Sequence, residues 1–158
     1  MQSQQTRLST FDLNNICRRR AASSRSKHTG SRTSAMGKKT KIKWLSEPQK
    51  NDYSSAESYL TLTLEQQAAK NVVKELERAE MSEFPAKDIF RSSGLSLLGV
   101  SNSHVEKDRA KIILNERLSP LLLFRGQHGG KLVIADGYHR LCAVYTFDED
   151  AMIPCKIV

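Results

Sequence analysis

Cysteine is scarce in this chain of 158 residues: Cys17, Cys142 and Cys155 are odd in number and lack C-x-x-C spacing. Such a set points away from a disulfide framework and from a tetrahedral zinc site, and it makes a reducing cytoplasm the expected compartment. Long apolar runs are missing as well. No stretch approaches the ~18 residues needed to span a bilayer, and no secretory hydrophobic region is present, so no membrane partner is expected.

Acid is nearly absent from the first 43 residues, where Asp12 stands alone against 11 Lys and Arg. The other 14 bases face 16 acids, so the formal charge of +8 resides in the N-terminal segment and the remainder is slightly acidic. Residues 1–43 include Arg18, Arg19 and Arg20 and Ser- and Arg-rich text up to Met36. They hold too few large apolar residues to build a core, and a disordered basic tail is the expectation. Three readings stay open: an arm that binds nucleic acid, an organelle transit peptide, or a true start at Met36. Residues 44–158 are expected to form a single domain.

Within that domain, Ser54-Ser55 is read as the cap of a short helix through Tyr59 and Leu60. Thr63-x-x-Gln66 resembles a capping box before an amphipathic helix over about 64–80 with Leu64, Ala68, Val72 and Leu76 at four-residue steps. Glu83 to Phe90 suits an edge strand, and Arg91 to Ser103 a loop folded over the core through Leu95, Leu97 and Leu98. Ser103-x-x-Glu106 reads as a second capping box, opening a helix to about Asn115 with Val105, Ile112 and Ile113 inward. Pro120 to Gly126 and Lys131 to Ala135 predict a hairpin across Gln127 to Gly130. A helix to about Phe147, an acidic turn at Asp148-Glu149-Asp150 and a strand over Ile153 to Val158 complete the chain. Cys142 and Cys155 fall on apolar stripes and are expected in the core. The fold class is α+β, a small mixed sheet with packed helices, in which Lys131 to Val158 forms a right-handed βαβ unit.

The most informative stretch is KLVIADGYHRLCAVY, Lys131 to Tyr145. A short apolar strand gives way to helical periodicity across Asp136-Gly137, a turn that aims unpaired backbone N–H groups and the positive end of a helix dipole at one point. An anion fits there. This helix opens with Tyr138, His139 and Arg140 where acids are usual, a placement that costs about 0.3–1 kcal/mol per cation unless something offsets it. A bound phosphate would offset it. So would an ordinary i, i+4 ion pair between Asp136 and Arg140, and the spacing leaves both open.

The segments KDIFRSSG, SNSHVEKDRAKI, LSPLLLFRG and DGYHRLCAVY together resemble the ParB/sulfiredoxin-like superfamily, which includes the ParB N-terminal, or ParB-like nuclease, domain. The similarity covers about Phe84 to Val158, and its most specific part is G-x-H-R between strand and helix. It implies that Gly137, Tyr138, His139 and Arg140 hold the phosphates of a nucleotide. Sulfiredoxins carry their catalytic cysteine where this chain has Tyr138, so sulfinic-acid repair is not implied. Partition proteins use a Glu-Arg-Arg version of the motif and add a helix-turn-helix domain downstream, for which no residues follow Val158. Some members of the fold are small-molecule kinases.

The functional expectation is a small nucleotide- or phosphate-binding domain, with phosphotransferase or nucleotide hydrolase activity as the reactions such a site would serve and CTP or ATP with magnesium as cofactors. Phosphoryl transfer needs cationic donors on the phosphates and a base for the acceptor. Arg140, His139 and the turn amides supply the first; His104, Asp108, Asp136 and also Asp88 are candidates for the second or for a magnesium ligand. A protein metal site built on His104, His139 and Asp136 lacks a recognisable spacing, and no metal ligands are assigned. Arg140→Ala is expected to abolish nucleotide binding with little change in melting temperature. The alternative is a DNA-associated or regulatory module without catalysis, using the basic tail.

Overall fold

Residues 41–126 and 130–158 are described by the structure, a computed structural model, so residues 1–40 of the expected tail and most of the Gln127 to Gly130 loop lie outside the described residues, whereas Ile42 packs on the core and Lys43 already belongs to a strand. The elements in order are β1 (Lys43–Trp44), α1 (Lys50–Leu60), α2 (Gln66–Arg78), β2 (Met81–Pro85), α3 (Ala86–Ser93), α4 (Ser103–Ile113), β3 (Arg117–Leu118), β4 (Leu121–Arg125), β5 (Leu132–Asp136), α5 (Tyr138–Phe147) and β6 (Met152–Ile157). The fold is α+β.

Four strands form a mixed sheet in the order β2-β6-β4-β5, and β1 pairs with β3 as a separate two-stranded parallel ladder. β4 is central, parallel to β6 and antiparallel to β5. Its run Leu121-Leu122-Leu123 is fully buried because both faces of the sheet are covered. Alternate side chains go to opposite layers. Leu121 and Leu123, with Ile134 of β5 and Ile153 and Cys155 of β6, pack against α3, α4 and α5. Leu122 and Ala135 face α1 and α2.

The expected hairpin is present, but the βαβ unit is not. β5 runs antiparallel to β4, which is itself parallel to β6, so β5 and β6 oppose one another with β4 between them. The period of each segment predicts a strand; strand order depends on pairings between distant segments, which no local pattern records.

Several boundaries are corrected by hydrogen bonding. Lys50 opens α1, well before Ser54: the Gln49 N–H donates to Asp52 Oδ2 at 3.0 Å, while Ser55 Oγ donates back to the Asn51 carbonyl inside the helix. Thr63 lies in the turn after α1, its hydroxyl donating to the Leu60 carbonyl, and α2 starts at Gln66. Asn102 rather than Ser103 caps α4, its Oδ1 accepting from the N–H groups of His104 and Val105 at 3.0 and 3.3 Å. Ile112 is buried, whereas Ile113 next to it is 61% exposed and does not face inward.

Glu83 to Phe90 is not one strand. β2 does lie at the sheet edge, but it stops at Pro85 and α3 follows at once, with Ala86 and Ile89 buried on one helical face. The free N–H groups of Ala86 and Lys87 find the carbonyls of Ala151 and Glu149 at 3.0 and 2.9 Å, which is what lets a helix begin there without a side-chain cap. Gly94, at φ 63°, ends α3 in the left-handed conformation. The loop beyond it packs Leu98 on the core, while Leu95 and Leu97 are exposed.

A charged group also lies inside. The Lys156 side chain is 7% exposed, with Nζ donating to the Glu77 carbonyl at 3.0 Å and paired with Glu47 at 2.9 Å. It ties β6 to α2 and to the segment before α1, a role that the apolar alternation of β6 does not announce.

Candidate functional site

Gly137 joins β5 to α5 at φ 102° and ψ 13°, and a Cβ at this position would lie 2.8 Å from Cγ of Leu121. Both the backbone conformation and the neighbour therefore require glycine. No side chain caps α5, no acid occupies its first turn, and the Leu141 N–H donates to the Gly137 carbonyl at 2.9 Å.

A polar cavity of about 230 Å³ opens at this turn, between the start of α5 and the side of α4. His104, Asp108, Asp136, Gly137, His139 and Arg140, drawn from two separate stretches of sequence, all line it. The imidazoles of His104 and His139 lie with ring centroids 4.9 Å apart. Two lysines that the motif reading left out, Lys107 and Lys111, complete the wall. Their signal was in the sequence, since positions 104, 107, 108 and 111 share one helical face. Lys111 pairs with Asp108 at 2.8 Å, and Lys107 has no ion-pair partner among the described residues.

Tyr138 goes elsewhere. It lines a second, less polar cavity of about 400 Å³ with Tyr59, Leu95 and Ile134, and its hydroxyl donates to the Ser96 carbonyl. The two cavities share Asp136, Gly137 and His139. Asp88 is not brought to the site: it sits on α3, paired with Arg91 at 3.1 Å.

Arg140 is held from below. Its Nη2 donates to Asp136 Oδ2 at 2.5 Å, the i, i+4 pair that the spacing allowed, and to the Pro120 carbonyl at 3.4 Å. Its Nη1 lies 3.5 Å from Asp52 Oδ1, on α1. Asp52 in turn accepts from the Ser119 hydroxyl and from the Gln49 N–H. Only 15% of the Arg140 side chain is exposed, and its Nε is buried without a hydrogen-bond partner. One guanidinium thus serves two carboxylates. Burial pushes the Asp136 carboxyl upward from its ordinary range; Arg140 opposes that shift, and the charge on Asp52 adds to it.

The arrangement can do three things chemically. Lys107, His139 and the amides after Gly137 can donate to an anion in the cavity. Asp136 can hold or release a proton at its edge. Asp108 and Asp136 present carboxylate oxygens of the kind magnesium takes together with phosphate oxygens. Among the described residues no group of three or more His, Cys, Asp or Glu side chains is placed to hold a metal ion by itself. His104, His139 and Asp136 nevertheless share the cavity.

No helix among the described residues is long and apolar enough to cross a membrane. No family model matches the chain, and neither a curated protein nor a solved structure matches it.

Proposed function

We propose that the cavity at the Gly137 turn binds the phosphate of a nucleotide or another phosphorylated small molecule, in a site equipped for phosphoryl transfer or nucleotide hydrolysis. The observation that carries this reading is the convergence of Lys107, His104, His139 and the uncapped start of α5 on one polar cavity. Oriented amides and cations around a partly enclosed space favour a phosphate more than the same groups would in open water.

Arg140 has a different part from the one its place in the motif implies. With two carboxylates already against it, it positions the turn and leaves first contact with the anion to Lys107, His139 and the amides. Asp136 is the candidate base, and when protonated it donates to a phosphate oxygen instead of repelling it. His104 and Asp108 are the candidates at the α4 side, and magnesium would enter with the phosphates of CTP or ATP.

The test is a thermal-shift series with CTP, ATP and inorganic phosphate, with and without magnesium, on the full chain and on Lys107→Ala and His139→Asn. A ligand at ~100 Kd adds about 2.7 kcal/mol to stability, a shift well above noise. Each substitution is expected to reduce the shift at least severalfold. Arg140→Ala does not serve here, because removing a buried, doubly paired cation lowers stability directly. The absence of any shift at millimolar ligand would dispose of the reading.

The charge imbalance of residues 1–43 supports a second reading, a DNA-associated module without catalysis. It predicts DNA affinity that falls steeply with salt and vanishes when residues 1–35 are deleted. Affinity unchanged by that deletion would dismiss it.

A further inference from the structure

We infer a second ligand site, separate from the Gly137 cavity, that takes a small apolar carboxylate. It lies at the other end of the hairpin: β5 begins at Leu132 and ends at Asp136, and the phosphate site is at the Asp136 end. A cavity of about 220 Å³ opens beside Leu132, between α3 and the ends of β4 and β6. Its walls include Ile89, Leu123, Leu132 and Ile157.

Ile89 and Leu123 are almost completely buried, so the floor is core surface rather than a loop crease. Apolar cavities of ~150 Å³ accept benzene, and this space suits one ring with a short substituent. Two charged side chains border it, Asp88 and Arg125. Asp88 is already paired with Arg91 at 3.1 Å. Arg125 has no ion-pair partner among the described residues, although its backbone N–H is fixed by the Val158 carbonyl at 2.7 Å.

Among the described residues that border the cavity, the charged side chain without an ion-pair partner is thus Arg125, at the rim of an apolar space. That combination suits a monoanion: the planar fork would take a carboxylate or a phosphate oxygen pair alike, but the walls offer no cation to a phosphate's second charge. A hydrocarbon body covers Leu123 and Ile157 while the carboxylate stays at the wet edge beside Arg125. This follows the general pattern of small-molecule sites, mostly apolar with a few orienting polar groups.

The experiment is an amide-resolved NMR titration of the full chain with phenylacetate, and with phenylacetamide as its uncharged counterpart. Saturable shifts are expected for Ser92, Leu123, Arg125, Leu132 and Ile157, with phenylacetamide and the Arg125→Gln variant each binding about tenfold or more weakly. Ser92→Phe, a substitution at an exposed position on the cavity wall, is expected to remove binding while leaving the melting temperature unchanged. No saturable shift up to the solubility limit would overturn the site. Equal affinity for the amide would overturn the carboxylate assignment, and so would shifts centred on Gly137 to Arg140. If Arg125→Gln does not fold, the acid-to-amide ratio on the unsubstituted chain still decides.

Discussion

Asp52 Oδ1 lies 3.5 Å from Nη1 of Arg140, which joins the first turn of α1 to the first turn of α5 beneath the Gly137 bend. Asp52 is itself fixed by the Ser119 hydroxyl and the Gln49 N–H. The motif turn is thus anchored on one side by its own Asp136 and on the other by a helix that lies outside the region of family resemblance.

Asp52→Ala is expected to destabilise the domain by about 1–3 kcal/mol, because Arg140 keeps Asp136 but the inner end of the network is left unmatched. Ser119→Ala should cost less, and the two should couple by at least ~0.5 kcal/mol in a double-mutant cycle measured by urea unfolding. Strict additivity would mean that the Ser119–Asp52 contact carries no energy.

Gly137→Ala is expected to cost ~1–3 kcal/mol, since it places a Cβ on a backbone at φ 102° and against Leu121. Gly99→Ala is the control: its Cβ would meet only Ser101 Oγ, at 3.9 Å. Urea midpoints of the two variants compared with the parent chain separate a constrained glycine from a merely permitted one.

Asp136 gives stability a pH dependence of unusual sign for a carboxylate in an ion pair. Burial raises its folded-state value above the ordinary 3.8, so the native state holds the proton more tightly than the unfolded chain does. The contribution of this group is complete below about pH 3.8 and is lost as pH rises through the folded-state value. Relative to the parent chain, Asp136→Asn should therefore be most destabilised at the acid end of that window and recover as pH increases. Unfolding free energies between roughly pH 3.5 and 7 test this, and a gap that widens with pH would contradict it.

Cys142 and Cys155 should resist alkylation in the folded protein. Both are fully buried; burial pushes both thiols up, Cys155 to about 11, so little thiolate exists near neutral pH. Iodoacetamide at pH 8 followed by peptide mass spectrometry should find both unmodified until denaturant is added. Rapid native labelling of either would show that α5 or β6 opens readily.

Among the DGYHR side chains, Arg140 is held by Asp136, Asp52 and the Pro120 carbonyl, and so is the one least free to meet a ligand.

The sequence by itself determined the α+β class, the hairpin, the α5 boundaries, the burial of both core cysteines and the sharp bend at Gly137, because each follows from short-range periodicity or from what one backbone position tolerates. Local signals misread α3, since Glu83 to Phe90 contains a strand and a helix that meet at Pro85, and the carbonyls that satisfy the new helix come from Glu149 and Ala151. Only the tertiary structure decided the strand order, the inward pull of Asp52 on Arg140, and the meeting of His104 with His139. Those depend on which distant segments pack together, and long-range packing leaves no period in the chain to be read.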